Sequence, residues 1–283
     1  MPILNKDMQV CISLAARPSN LGTRFHNFLY DELGLNFIYK AFTTDDLEGA
    51  VHGIRALSFR GCSVSMPFKE AIIPLIDVMA PSALAIESVN TVVNDNGVLT
   101  ASNTDFEAVL QLLREREFAT SQSVLVRGSG GMAKAVVAAF KAAGFQILTV
   151  VARNAAAGEA LAGKYGFAHI VDSELAKVSG EMAADGRAFE ILVNVTPLGM
   201  AGENEQDLSF APELITAANL VFDVVAFPAE TPLIKTALAA GKPVITGAEV
   251  IALQAALQFA AYTGVALSAD QVRRASEFSR QQS

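Results

Sequence analysis

Two ionisable side chains stand at the ends of short segments within the first 105 residues. Lys69 ends "SVSMPFK" and Asp105 ends "SNTD". If the strands before them share one sheet, their ends share a crevice. A lysine and an aspartate held together there can bind a hydroxyl, order its proton and stabilise charge as it develops on the oxygen. Moving a hydride off an alcohol carbon makes those same demands. Each residue also has an ordinary reading in isolation. Lys69 fits a helix surface, and Asp105 fits an N-terminal helix charge or cap. What tips the reading toward catalysis lies further along the chain.

"SVLVRGSGGMAKAVVAAFKAAGFQILTVVAR" reads as a strand, a glycine turn, a helix and a second strand. Gly128, Ser129, Gly130, Gly131 and Met132 form the turn. Glycine there lets the backbone approach a pyrophosphate, and the helix start offers unpaired N–H groups to the anion. Ala133 takes the last position of the G-x-G-x-x-G/A pattern, where a small residue lets the helix pack on the sheet. The helix is predicted over Ala133 to Ala143, ended by Gly144. An acidic residue near the end of the second strand would favour NAD. Ala152 and Arg153 stand there instead, Arg153 lying 25 residues after Gly128. An arginine pairs with a 2′-phosphate and stacks on adenine, which favours NADP. Arg127 either adds to that positive surface or points away. "VNVTPLGM" follows another strand candidate, and Asn194, Thr196 and Pro197 are expected to wall the cofactor.

These groups need a scaffold, and the chain alternates strand-like and helix-like segments. "MQVCISLAA", "NFIYKAFTT" and "FRGCSVSM" read as strands. "TRFHNFLYDELGL" and "DDLEGAVHGIRAL" read as helices, and "FKEAIIPLI" as a short helix interrupted by Pro74. "SVNTVVNDNGVLTASNTD" reads as a hairpin turning at Asn96-Gly97. A helix fits "TDFEAVLQLLREREF". "AFEILVNVT", "LVFDVVAF" and "KPVITG" supply further strands, "TPLIKTALAA" and "VIALQAALQFAAYTG" further helices. Such alternation predicts an α/β protein of two domains with mostly parallel sheets: an N-terminal α/β substrate domain and a Rossmann-type dinucleotide-binding domain. The expected boundaries are 1–105 for the first, 106–121 for a connecting helix and linker, 122–246 for the second and 247–283 for C-terminal helices.

At 283 residues, 52% hydrophobic and 18% charged, the chain is that of an ordered globular protein. The formal charge of −8 disfavours nonspecific nucleic-acid binding. No 18-residue charge-free apolar run occurs, and no signal-peptide pattern is read, so neither a membrane partner nor export is expected. Two cysteines make no disulfide framework, which suits a reduced cytoplasmic setting. The three histidines lack metal-ligand spacing, so no metal is expected. The sequence does not choose between monomer and homodimer.

Several of these stretches, in their order, resemble the shikimate/quinate dehydrogenase family along almost the whole chain. They are "SVSMPFK", "ESVNTVV", "SNTDFEAV", "GSGGMAKAV", "VNVTPLGM", "FDVVAFPAETPLI" and "GAEVIALQAALQFAAYTG". The resemblance implies an NADP-linked oxidation of a cyclic polyhydroxy acid at a ring hydroxyl. It assigns Lys69 and Asp105 as the catalytic pair, and Asn90, Asp105 and Gln254 as contacts to substrate hydroxyls. It gives Arg153 the adenosine phosphate, and returns the C-terminal segment, opened by cofactor candidate Gly247, to the substrate domain. Two departures concern the substrate. Where the family has two carboxylate-binding serines before a histidine, "RPSNLGTRFHN" places Asn20 and Gly22. Ser19, Thr23, Arg17 or Arg24 are the available replacements. Ala226 stands where the family often has a pocket tyrosine. The resemblance therefore implies weak turnover of shikimate, or a related cyclic hydroxy acid. Two other readings stay open: an NADP(H)-binding regulatory protein on the same fold, and an amino-acid or methylene-tetrahydrofolate dehydrogenase of similar two-domain form.

Overall fold

In the computed structural model, which describes residues 4–116 and 118–281, the chain divides into two units. The first comprises Met1–Glu107 with Ala252–Ser283, and the second Ala108–Ile251.

The first unit holds β1 (Gln9–Leu14), α1 (Asn20–Glu32), β2 (Phe37–Phe42), α2 (Leu47–Ala56) and β3 (Gly61–Val64). The short α3 (Phe68–Ala71), β4 (Val78–Met79) and α4 (Pro81–Ile86) follow. The hairpin β5 (Thr91–Asp95) and β6 (Val98–Ser102) leads into α5 (Thr104–Glu115). Its six strands run in the order β2-β1-β3-β5-β6-β4. β1 is parallel to β2 and β3, whereas β5 is antiparallel to both its neighbours. The hairpin turns at Asn96-Gly97, both at positive φ, as an Asn-Gly pair favours. Successive side chains of a strand face opposite ways. Along β1, Ile12 joins a core with Val64, Val92 and Leu99, while Cys11 joins one with Phe25, Tyr39 and Phe259. Both faces of this sheet are therefore covered.

The second unit continues with β7 (Ser123–Arg127), α6 (Gly131–Ala142), β8 (Ile147–Ala152), α7 (Ala155–Tyr165), β9 (Ala168–Val171), α8 (Leu175–Ala184) and β10 (Ile191–Asn194). Then come α9 (Pro212–Ala217), β11 (Leu220–Asp223), α10 (Pro232–Ala239) and β12 (Val244–Thr246). Its sheet is wholly parallel, in the order β9-β8-β7-β10-β11-β12. Numbered within the unit this is 3-2-1-4-5-6, the doubly wound order of Rossmann domains. β10 and β11 are buried at every residue, as central parallel strands must be. α11 (Gly247–Thr263) and α12 (Ala269–Arg280) complete the chain, and the division between units falls within α5 and α11. α6 begins at Gly131, two residues before the expected Ala133, because its first turn is made by the glycines themselves. The segment around Pro74 is a four-residue helix followed by a 3₁₀ turn at Ile73–Leu75. Among the described residues no helix is long and apolar enough to cross a membrane.

Candidate active site

Lys69 lies in α3, just beyond β3, and Asp105 in the first turn of α5, just beyond β6. Their side chains meet: Lys69 Nζ donates to Asp105 Oδ2 at 2.6 Å. The pair is half-buried, with the lysine side chain 28% and the aspartate side chain 17% exposed. Asp105 does not cap its helix. Asn103 does, its Oδ1 accepting from Phe106 N at 3.1 Å while its Nδ2 donates to Ser88 O at 2.9 Å. With the helix end satisfied, Asp105 is left to Lys69.

Asn90 joins this pair through the backbone. Val89 N donates to Lys69 O at 2.8 Å, and Thr104 N donates to Asn90 Oδ1 at 2.8 Å. Asn90 is 2% exposed. Its Oδ1 also accepts from Thr91 Oγ1 at 2.8 Å and Thr104 Oγ1 at 3.1 Å. Its Nδ2 is buried and meets no hydrogen-bond partner among the described residues. A buried donor without an acceptor is costly, and it marks a place made for a ligand atom. Lys69, Asn90 and Asp105 thus stand together with one amide donor spare.

The other substrate candidates are placed less tightly. Gln254 is half-buried on α11, Asn20 is exposed at the start of α1, and Thr23 Oγ1 is buried without a partner among the described residues. A Cβ on Gly22 would lie 3.4 Å from Tyr39 Oη. Arg24 is committed elsewhere: Nε and Nη2 donate to Phe278 O at 3.2 and 3.0 Å, and the guanidinium covers the Phe278 ring. Two of its three guanidinium nitrogens are thus engaged by the chain itself. His26 is fully buried and stacked on Tyr39, with centroids 4.5 Å apart. Burial pushes its pKa down to about 3, against an opposing influence of Gln258, so it is a neutral core residue.

In the second unit the glycine turn stands where the strand order reverses, between β7 and β10. Gly128 has φ +127, and a Cβ there would come within 2.8 Å of Val195 Cγ2 and 2.9 Å of Val195 O. Only glycine fits. A Cβ on Gly130 or Gly131 would meet nothing within 4 Å, so the start of α6 is open as a phosphate cradle requires. A cavity of about 860 Å³ lies here, lined by Gly128, Ser129, Gly130, Arg153, Thr196 and Pro197, with Ala152 at its wall. That volume and glycine cradle fit a dinucleotide. Gly131 and Met132 form the first turn of α6, outside the lining.

Arg153 is exposed at the cavity edge. Arg127 is not available to a phosphate in the same way. Its Nε and Nη2 donate to the two oxygens of Asp172 at 2.8 and 3.0 Å, and Nη1 donates to Ser209 O. Asn194 is fully buried rather than facing the cavity. Its Nδ2 donates to Leu198 O and Asp223 Oδ1, and its Oδ1 accepts from Thr196 N and Oγ1. Asp223, wholly buried, also accepts from Val225 N and from Thr231 Oγ1 at 2.6 Å. Burial raises its pKa, opposed by those hydrogen bonds. The network holds the loop carrying Thr196 and Pro197. Gly247 is buried too, its missing Cβ leaving room for the carbonyl oxygens of Val224 and Val225.

Residues 19–92 match the model for the shikimate dehydrogenase substrate binding domain. A shikimate dehydrogenase-like protein of Haemophilus influenzae is 53% identical over 279 residues, 98% of this chain and 99% of that protein. The chain belongs to the shikimate/quinate dehydrogenase family. Within this family, a shikimate dehydrogenase (NADP(+)) of Chlorobaculum tepidum is 36% identical over 88% of each chain. A solved shikimate 5-dehydrogenase of Thermus thermophilus, in complex with NADP(H) and shikimate, is 29% identical. It superposes with a TM-score of 0.82, covering 96% of this chain and all of that one.

Thr91, Thr104 and Gln258, which hydrogen-bond Asn90, are not singled out by the sequence, nor is Ser63, which meets Gln258. One signal was present: Asn90-Thr91 and Asn103-Thr104 repeat the same dipeptide on either side of the hairpin.

Proposed function

We propose that the chain is an NADP(H)-dependent oxidoreductase that interconverts a ring hydroxyl and ketone on shikimate or a related cyclic hydroxy acid. The observation that carries this reading is the Lys69–Asp105 contact at 2.6 Å beside the spare donor of Asn90. Family membership supports it. NADP, when bound, supplies the acceptor or donor of the hydride. Gly128, Gly130 and Thr196 would hold it, with Arg153 on the 2′-phosphate.

In the reducing direction, Lys69 Nζ donates a proton to the ketone oxygen as the carbon gains its hydride. In the oxidising direction Nζ takes that proton back. Asp105 Oδ2 holds Nζ in position throughout, and Asn90 Nδ2 donates to a neighbouring substrate oxygen, fixing the ring. The carboxylate end is weaker. Asn20 is exposed, Gly22 has no side chain and Arg24 is bound to Phe278. Each missing partner costs roughly 1–3 kcal/mol of binding, so shikimate is expected to turn over with a high KM. The test is a panel of shikimate, quinate and related cyclic hydroxy acids assayed with NADP and NAD, on wild type and K69A. Turnover that depends on Lys69 supports the reading. Tight NADPH binding without turnover across the panel would sink it.

A further inference from the structure

Gln258 lies on α11, is 3% exposed and follows Thr91 by 167 residues. Its Nε2 is 2.9 Å from Thr91 Oγ1, 3.1 Å from Asn90 O and 3.3 Å from Ser63 Oγ. Asn90 O is a backbone carbonyl and can only accept. The amide atom facing it must therefore be the NH₂ group, which settles the orientation of Gln258.

A chain of proton positions follows. Gln258 has two N–H bonds, and the shorter contacts go to Thr91 Oγ1 and Asn90 O. Thr91 Oγ1 receives one of them, so its own proton turns to the acceptor at 2.8 Å, Asn90 Oδ1. Thr104 N, which can only donate, meets the same Oδ1. Both groups require the Asn90 oxygen on their side. Asn90 Nδ2 is thereby forced to the other side, where it is buried and without a partner among the described residues. Without Gln258, the Thr91 hydroxyl is free to turn its proton toward Thr104 Oγ1, 3.3 Å away, in either sense.

We infer that Gln258 is a positioning residue for catalysis: acting through the Thr91 hydroxyl, it holds the Asn90 amide with its N–H toward the substrate. The inference rests on the reading of Asn90 as a substrate contact. Gln258 itself donates only to protein atoms among these contacts, so its effect reaches the substrate at second hand.

The test exchanges a donor for a group that donates only when protonated. In Q258E the ionised carboxyl can only accept. It draws the Thr91 proton away from Asn90 and faces the Asn90 carbonyl. The protonated carboxyl restores one O–H donor. Titratable groups around the site are His26 on α1, Tyr39 on β2, Cys62 on β3 and Tyr262 on α11. Burial keeps each of them uncharged, His26 pushed down to about 3 and the others raised. Lys69 and Asp105 are present in wild type and variant alike, so the ratio of the two profiles cancels them.

With the best substrate and NADPH, Q258E is expected to have kcat/KM roughly tenfold or more below wild type at alkaline pH, the ratio recovering as the pH falls. Q258M is expected to lose a similar factor at every pH. A ratio for Q258E that is constant across the range would overturn the inference, since loss of packing alone does not titrate. Thermal melts at each pH establish that the variants are folded. Should Q258E not fold, T91V and T91V/Q258M decide: if Gln258 acts through Thr91, adding Q258M to T91V costs little more, and multiplied losses refute it. Wild-type inactivity on the whole panel would overturn the functional reading and this inference with it. Wild-type activity with a flat Q258E ratio would overturn this inference alone.

Discussion

Replacing Asp105 by asparagine removes a charge and almost nothing else. The hydrogen bond from Lys69 at 2.6 Å becomes a bond to a neutral amide oxygen. The ammonium keeps its own charge, so the bond stays charge-assisted, and what is lost is the attraction of the opposite charge in a half-buried pair, about 1–2 kcal/mol. The expected loss of transition-state stabilisation is therefore about 1–2 kcal/mol from the lost charge alone, a factor of roughly 5–30 in kcat/KM. Release of Nζ from its proton-transfer position multiplies this, toward the roughly 10²–10⁴ that positioned acid–base groups provide. Stability should change modestly. The cap of α5 is Asn103, so D105N gives up a first-turn charge, about 0.3–1 kcal/mol, and the ion pair with Lys69, about 0–1 kcal/mol. N103A should show the opposite balance, losing about 1 kcal/mol or more of stability with its cap. Steady-state oxidation of NADPH with the best substrate, set beside thermal melts of both variants, measures the two effects separately. Wild-type kcat/KM in D105N would refute the catalytic role. So would a melting temperature lowered as far as in N103A, because Asp105 would then be a structural helix residue.

R153D should weaken NADP binding at least tenfold more than NAD binding, measured by titrating each cofactor against intrinsic fluorescence; equal losses would remove Arg153 from the phosphate. G128A forces a Cβ to within 2.8 Å of Val195 at φ +127, and should destabilise the second unit by roughly 2–4 kcal/mol while abolishing cofactor binding. Calorimetry with and without NADPH checks both losses. Burial raises the folded-state pKa of Asp223 above its ordinary 3.8, so the folded state binds this proton more tightly than the unfolded. Its contribution to stability is greatest below about pH 3.8 and falls as the pH rises through the folded pKa. D223N, melted at a series of pH values from acid to neutral, should lose that slope relative to wild type; parallel curves would contradict it.

What could be read ahead was local. Asn96-Gly97 announces its hairpin because both residues tolerate positive φ, and Gly128 to Gly131 announce a phosphate turn because backbone must approach an anion there. The second sheet followed from buried parallel strands alternating with helices. The insertion of β5 antiparallel between β3 and β6 was not legible, since nothing within β3 specifies a partner thirty-odd residues on. β4 is two residues long, and α8 mixes Gly180 and Ser179 into its turns, so neither carries a strong period. At the site, residue type suggested chemistry but not direction. Asn194 was expected to wall the cavity and is instead the internal strut of its loop. Arg24 was a candidate for an anion, and two of its nitrogens hold the end of α12. Both outcomes depend on partners distant in sequence: Asp223 and Phe278.

The first unit is made of two pieces of chain with the second unit between them. A ribosome that has released Asn90, Thr91 and Asp105 must still translate the whole of Ala108–Ile251 before Gln258 emerges. Until then the Thr91 hydroxyl has no Nε2 above it and the face of β1 bearing Cys11 lacks Phe259. The nucleotide-binding half can assemble from a continuous stretch during synthesis; the half that carries Lys69 is finished last. Cutting the chain after residue 251 would thus keep Lys69, Asn90 and Asp105 in the chain, take away Gln254 and Gln258, and act as an active-site mutation.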